Sequence, residues 1–484
     1  MNDDFSGFNF ESMAIPISEL MPNVEQRIVE PLPDNMEIWD MTGIRKSWSK
    51  EPWDELIPKD GFFYDFCLAF RGYAPPTAYW LWGAIIAMST MLGRDAWLEW
   101  GDGQLFTNFY TLLVGPAGRL KKSTVIDKVD TLIHEYTEMI PSEVVAFQKE
   151  TPTLQGKASE ASLYMLMENK KQVVVDESGQ TVTIESDGKV FACVNELSTF
   201  LSKQSYSSGI VEKMTDMYDC KKHDSEMTRS RGENRLKNIY STFMAGTTAK
   251  GLRNSIPESA FGDGFMSRLT TVYIPEPTRI FPFPMKMVGT PKIYDLKQRL
   301  AWLALRARGE YILSPEASKY YSDWYFKWYD QLKDTPDEKS LSNRQDIITL
   351  KLATIICAQR YNHAPGMDKI IKKSDYILAE KIIKRSIASA NQVMDTIGED
   401  KFFFNLGRVK TVIQNHSNTN DGKPIERTKL IRKMSSKKVT VKMVNEILQQ
   451  LIDTDQISVY DKNMNAQNGI SGTGTELYEL TGGA

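Results

Sequence analysis

The stretch Phe109-Tyr110-Thr111-Leu112-Leu113-Val114-Gly115-Pro116-Ala117-Gly118-Arg119-Leu120-Lys121-Lys122-Ser123-Thr124 passes from an apolar strand through a glycine-containing loop to a Lys-Ser pair at a helix start. Residue types in this order suit the phosphates of a nucleotide. Glycines let backbone N–H groups turn inward, and a helix N-terminus adds positive potential. Lys122 would reach the β- and γ-phosphates and the Ser123 hydroxyl would ligate Mg²⁺. Gly115, Pro116, Ala117, Gly118, Lys121 and Thr124 would complete the cradle. The usual spacing is G-x-x-x-x-G-K-[ST]. Aligned on Lys122-Ser123, Lys121 stands at the second glycine position and Pro116 at the first. The alternative is an ordinary strand-to-helix turn with a basic start, which is unfavourable beside the helix dipole unless an anion neutralises it.

Partners for such a loop belong at the ends of neighbouring strands, where ligand groups gather in an open α/β sheet. Residues 189–194 read as a buried strand that ends in Asn195-Glu196. Glu196 has the chemistry to orient an attacking water, and Asn195 can hold a metal-bound water without adding charge. A helix cap is the alternative for that pair. Residues 239–245 read as a third strand ending in Gly246-Thr247-Thr248, whose hydroxyls could touch the γ-phosphate or the water, or could equally be satisfied loop groups. Arg268 follows Gly262-x-Gly264 on a turn expected to be exposed, before a strand over 269–274. An arginine so placed suits a finger reaching a neighbouring subunit's nucleotide, with a surface salt bridge as the alternative. Arg253 and Arg344 are weaker candidates for the same duty.

Lys221, Lys222, Arg229, Arg231, Arg235 and Lys237 lie between the second and third strands and could track a single-strand backbone. Asp219, Asp224, Glu226 and Glu233 dilute them, so a solvated charged loop is the alternative.

The elements that must hold these groups follow from periodicity. Residues 1–60 are polar and tryptophan-punctuated and read as a docking arm; 61–101 read as helical; 123–139 carry Val125, Val129, Leu132 and Ile133 on one helix face. Two β-branched runs over 173–184 make a hairpin. Residues 61–290 form the expected ATPase core and 291–397 an almost wholly helical lid. Residues 402–484 run helix, basic helix, longer helix, then two strands around a Gly/Asn/Ser-rich tip, the order of a winged helix. Its basic residues Arg427, Lys429, Arg432, Lys433, Lys437, Lys438 and Lys442 could meet DNA, although winged helices also contact proteins.

The chain has 484 residues, room for several domains, and its 41% hydrophobic content supplies a core. A net charge of −3 does not advertise nucleic-acid binding, which must come from local basic patches. Four scattered cysteines read as reduced cytosolic residues, and the lone Cys220-x-x-His223 lacks the second pair a zinc site needs. The apolar run from Tyr79 to Leu92 is shorter than a membrane span, and no secretory signal opens the sequence.

Taken together, Gly115–Thr124, Val194-Asn195-Glu196-Leu197-Ser198, Ala245-Gly246-Thr247-Thr248, Phe261-Gly262-x-Gly264-Phe265-x-Ser267-Arg268 and the upstream Tyr79-Trp80-Leu81-Trp82-Gly83-Ala84 resemble a P-loop family of originally unknown function. That family is common in bacteriophages and mobile elements, often near or fused to primases. The resemblance covers roughly Phe62 to Met394. The Ser267-Arg268 turn also looks like the arginine-finger motif of minichromosome maintenance helicases, and the order of motifs is similar to superfamily 3 viral helicases. The resemblance implies an α/β P-loop NTPase with an AAA+-like αβα sheet, using ATP and Mg²⁺ as a ring, expected to be a homo-hexamer, on single-stranded DNA. The expected activity is a replicative DNA helicase in the cytoplasm of a bacterial host, with no membrane association. A primase, polymerase or single-strand-binding protein would be a separate chain. The alternatives are an ATP-switched initiator or helicase loader, a non-catalytic regulator, and a mobile-element defence ATPase.

Overall fold

The computed structural model describes residues 51–484 apart from 141–142, 158, 176–178, 202–204, 229–231, 256–263, 282, 286–288, 334–342, 364–368, 421, 435–439, 455, 468, 471–475 and 482–484, together with the backbone of 37–39 and 45–47. Arg229, Arg231, Gly262, Lys437 and Lys438 therefore lie outside the described residues, as does most of the expected N-terminal arm. Two compact units divide the chain at Asn391/Gln392.

In the first unit, β1 (Glu37–Trp39) and β2 (Arg45–Ser47) pair with each other. The stretch that follows buries Trp53 and Leu56 in the main core. Helix α1 (Phe62–Ala69) leads to α2 (Thr77–Leu92), of which every residue is buried. A helix apolar on all sides belongs inside a core. Gly93 ends α2 at φ 56°, a left-handed conformation that costs glycine no Cβ clash. Trp80 of α2 stacks on Phe70 at 4.4 Å, a contact worth about 1 kcal/mol beyond the area it buries.

After the hairpin β3 (Ala96–Trp100) and β4 (Gly103–Phe106) come β5 (Tyr110–Val114), α3 (Lys122–Glu135), α4 (Glu143–Lys149) and β6 (Thr153–Leu154). Helix α5 (Glu160–Leu166), the hairpin β7 (Lys171–Val175) and β8 (Thr181–Glu185), and β9 (Lys189–Val194) follow. Then come α6 (Leu197–Phe200), α7 (Ser205–Met217), a second hairpin of β10 (His223–Thr228) and β11 (Gly232–Lys237), β12 (Tyr240–Thr247), α8 (Ala249–Ser255) and β13 (Leu269–Tyr273).

These strands build a five-stranded sheet in the order β13-β5-β12-β9-β6. Every pairing in it is parallel. Helices flank it, so the unit is α/β. Strands β5, β9 and β12 are buried throughout, as parallel strands covered on both faces must be. Several of their polar side chains pair within the sheet or with α2: Thr111 with Thr270 of β13 at 2.9 Å, Tyr110 with Ser241 at 2.6 Å and Thr242 with Thr90 at 2.8 Å. Leu269–Thr271 of β13 lie against residues of two later helices, α11 and α12 below, around one small cavity. At the other edge, β6 has only two residues and follows Pro152.

The rest of the unit comprises α9 (Ile293–Arg306), β14 (Gly309–Leu313), α10 (Pro315–Lys333), α11 (Gln345–Ala358), β15 (Lys369–Ile371) and α12 (Lys373–Thr419), which runs on past the division between units. Periodicity reads 61–101 and 291–397 as helical. The structure departs from that at β3, β14 and β15, which join β4 in a second sheet of order β15-β14-β3-β4. These strands are three to five residues long. Gly309 pairs with Ala96 across more than two hundred residues of chain, so their stability comes from tertiary pairing that a local pattern cannot carry.

The second unit contains β16 (Ile425–Glu426), α13 (Arg427–Met434), α14 (Val441–Asp453), β17 (Ile457–Tyr460), β18 (Ala466–Gln467) and β19 (Leu477–Leu480). Its sheet order is β16-β19-β17-β18. A separate core joins Leu430 and Met434 of α13, Val444, Ile447, Leu448 and Leu451 of α14, and Tyr478 of β19.

Candidate functional site

Connections leave β5 and β12 in opposite directions across the sheet. The strand after β5 is β6, beyond β12 and β9, whereas the strand after β12 is β13, on the far side of β5. A parallel sheet opens a crevice for ligands where neighbouring strands diverge in this way, at their carboxyl ends. The loop Gly115–Lys121 leaves β5 there, and Thr247-Thr248 leaves β12 beside it. The two are tied by the Gly115 N–H donating to the Thr247 carbonyl at 3.1 Å.

Gly115 has no room for a side chain. A Cβ would stand 2.3 Å from Leu120 Cδ1, 2.7 Å from the Ile274 carbonyl and 2.8 Å from the Tyr79 hydroxyl. That hydroxyl donates to the Val114 carbonyl at 2.7 Å, so α2 fixes the point where the loop departs. Gly118 is at φ 71° with open space around it. Pro116 is half-buried, and Ala117, Gly118 and Arg119 are exposed.

Lys121 explains the irregular spacing. It caps the start of α3 in the left-handed conformation, φ 48° and ψ 42°, which a glycine in its place would adopt freely and a lysine holds at a cost of about 1 kcal/mol. The backbone shape is kept although the glycine is not. Lys121→Gly accordingly raises stability by about 1 kcal/mol, read as a higher midpoint in urea at unchanged slope.

Lys122 opens α3 and is buried, 8% exposed. Its Nζ donates to the carbonyls of Gly115 at 2.8 Å and Pro116 at 3.2 Å. Among the described residues no carboxylate forms an ion pair with it, and the first turn of α3 has no acidic residue. Burial pushes its pKa below the ordinary lysine value, and the more distant Glu196 carboxylate opposes that shift. A desolvated ammonium held only by neutral carbonyls at a helix N-terminus fits an anion. Ser123 is exposed and Thr124 half-buried on the same first turn.

Glu196 is half-buried just past the end of β9, and its carboxylate makes no cap to the short helix α6. The Thr247 hydroxyl donates to its Oε1 at 3.4 Å. Gly251 of α8 is packed close to the same oxygen. Thr248 differs from its neighbour: its hydroxyl accepts the Gly251 N–H at 2.9 Å and is committed to starting α8. Lys122, Glu196 and Thr247 thus share the crevice.

Asn195 does not cap a helix either. Its amide donates to Asp127 Oδ1 at 3.0 Å. Asp127 is a residue the sequence reading passed over. It lies four residues after Ser123 on α3, hence on the same face one turn along, and that spacing was the available signal. Among the described residues no three His, Cys, Asp or Glu side chains gather into a metal cage. A Mg²⁺ brought by nucleotide phosphates needs few protein ligands, and the hydroxyl of Ser123 with the amide oxygen of Asn195 suits it.

Arg268 corrects an expectation. It sits on a short 3-10 turn before β13 and is buried, 6% exposed, not on an open turn. Gly264, at φ 78°, turns the chain so that its carbonyl accepts from Arg268 Nη1 at 3.0 Å, and Asp219 Oδ2 accepts from Nη2 at 3.2 Å. Arg268 is also remote from the crevice. Leu269 is level with Tyr110, the first residue of β5, and five residues of strand, roughly 16 Å, separate that level from Gly115.

The expected basic loop is the hairpin β10–β11, with Lys221, Lys222, Arg235 and Lys237 exposed. Lys221 pairs with Asp216 at 3.0 Å and Lys237 with Glu185 of β8 at 2.8 Å. In the second unit Lys429, Arg432, Lys433 and Lys442 are exposed. Arg427 is not available to a ligand: it is buried, 3.4 Å from Glu476, and donates to Asn445 at 2.8 Å. It is the internal counter-charge of a buried carboxylate, a role its place in a basic run conceals. Among the described residues no helix is long and apolar enough to cross a membrane.

No protein-family model matches the chain, and no curated protein matches it.

Proposed function

We propose that the chain is an ATP-driven DNA helicase of the phage or mobile-element replicative type, a ring-forming P-loop ATPase that translocates on single-stranded DNA. One observation carries this reading: the buried Lys122 ammonium rests on neutral carbonyls at the sheet's switch point, with Glu196 and Thr247 beside it. Lys122 holds the β- and γ-phosphates, and the loop from Gly115 to Lys121 surrounds them with backbone N–H groups. Glu196 accepts a proton from the attacking water and orients it, and Thr247 keeps that carboxylate in place. Ser123 and Asn195 would hold Mg²⁺, with Asp127 adding negative charge behind Asn195; the ion supplies charge neutralisation on the phosphates. Arg268, too far from its own crevice, serves the nucleotide of a second copy. That requirement supports a ring, where every copy has a neighbour on the correct side.

The second unit supports the DNA part of the proposal. Helices α13 and α14 followed by the β17–β19 pair have the order of a winged helix, and Lys429, Arg432, Lys433 and Lys442 are exposed on the two helices. The hairpin β10–β11, set between β9 and β12 in sequence, is the second candidate for backbone contact.

A second reading, an ATP-switched initiator or loader, is favoured by the uncharged Asn195 and by the engagement of Arg268 with Asp219, since both slow turnover. One assay separates the two. With ATP and Mg²⁺, single-stranded DNA raises hydrolysis several-fold and forked duplex is unwound. Slow hydrolysis indifferent to single strands, with nucleotide-dependent assembly on duplex, would overturn the helicase in favour of the loader.

A further inference from the structure

At the rim of the five-stranded sheet away from the Lys122 crevice, two arginines meet one carboxylate, with a buried lysine close by. Arg268 Nη2 lies 3.2 Å from Asp219 Oδ2 and 3.5 Å from Oδ1, and Arg344 Nη1 lies 3.7 Å from Oδ1. Lys351 Nζ donates to Asn108 Oδ1 at 2.7 Å and stands 3.9 Å from the centre of the Tyr218 ring. Arg268 faces the same ring at 5.7 Å. Asp346 is near enough to feel the charge of Arg344 but is held by backbone N–H groups of its own turn.

Burial is graded through the group. The side chain of Arg268 is 7% exposed, that of Arg344 30% and that of Asp219 46%. The carboxylate is outermost, over a guanidinium that solvent scarcely reaches. Burying several cations together is costly unless anions offset them, and one carboxylate is too few. Burial brings the Lys351 pKa down to about 8, with Arg344 and Arg268 acting in the same direction. Arg268 Nε and the Tyr218 hydroxyl are buried polar atoms without a hydrogen-bond partner. A group with three acceptor oxygens and more than one negative charge would satisfy what Asp219 leaves open. That description fits a terminal phosphate.

We propose that Asp219 is an internal counter-ion masking a phosphate-binding face formed by Arg268 and Arg344, and that the terminal phosphate of a nucleotide held by a second copy of this chain displaces it. The proposal rests on the nucleotide reading of the Lys122 crevice. A chain without a neighbour then keeps its arginines turned inward, and release of Asp219 becomes a step of assembly. Lys351 stays in place as a fixed positive charge beneath the face.

Two measurements test this, using Asp219→Asn, which keeps the size of the side chain and one acceptor oxygen but removes its charge, and Asp219→Ser as a second variant should the first misfold. In a Lys122→Ala background, where the chain's own crevice is disabled, Asp219→Asn binds inorganic phosphate in calorimetry about ten-fold more tightly than the parent, and adding Arg268→Ala cancels the gain. With Lys122 intact, ATP turnover measured against protein concentration reaches half-maximum at about three- to ten-fold lower concentration in Asp219→Asn than in the parent. Unchanged phosphate affinity overturns the masked face. Turnover that drops in Asp219→Asn to the Arg268→Ala level also overturns it, because Asp219 then positions the arginine. A gain in phosphate binding in a chain that never binds ATP would keep the face and remove the nucleotide reading instead.

Discussion

Lys122→Ala lowers ATP turnover by about 10³-fold and leaves the fold standing. The ammonium is desolvated and bonded to the carbonyls of Gly115 and Pro116, so phosphate binding exchanges two neutral partners for charged ones in a site of low dielectric constant, where each charge–charge contact counts for most. The Cβ carbon survives the substitution, as does its packing near Gly246. Removing an ammonium that lacks an ion-paired carboxylate also removes its desolvation cost, so the melting temperature holds steady or rises. Titration with a fluorescent ATP analogue, run beside steady-state hydrolysis and circular dichroism, separates these effects. A folded Lys122→Ala chain that binds the analogue as tightly as the parent would show that the crevice is not where nucleotide sits.

Glu196→Gln lowers turnover by about 10² to 10⁴-fold while nucleotide binding stays within a few-fold of the parent. Glutamine matches the carboxylate in shape, and its carbonyl still accepts the Thr247 hydroxyl, which stands at 3.4 Å. It cannot accept the proton of a water. The loss therefore falls on the chemical step, kcat, and not on KM. Single-turnover hydrolysis with saturating ATP measures it directly. Equal losses in binding and rate would assign Glu196 to holding nucleotide. Loss of turnover in Thr248→Val without loss in Thr247→Val would exchange the roles of the two threonines, since at present Thr248 is engaged with the Gly251 N–H.

Four strands of the central sheet, β5, β9, β12 and β13, were legible because they are almost wholly buried, whereas the two-residue β6 was not. Buried strands are continuous apolar runs, and the groups that interrupt them, Asn195-Glu196 and Thr247-Thr248, mark strand ends by contrast. The hairpin β7–β8 was legible from its β-branched runs. Order across the sheet was not legible, since neighbours such as β5 and β12 are joined only by pairing between distant segments. The second sheet escaped for the same reason. Arg268 was correctly tied to a turn before a strand, but its burial depends on Asp219, forty-nine residues away in sequence. Asp127 was hidden within an amphipathic helix, where an exposed acidic residue is ordinary. Lys121 is the converse: the letter breaks the glycine pattern and the φ of 48° restores it.

The two margins of the five-stranded sheet have a consequence for how another chain can meet it. Residues of α11 and α12 lie against β13, and β6 is only two residues long behind a proline. Long, open strand edges invite other chains to add on by backbone hydrogen bonding, which is how aggregates grow. This sheet has one edge packed against helices and the other cut short, so neither of its margins offers a long open strand for another chain to extend.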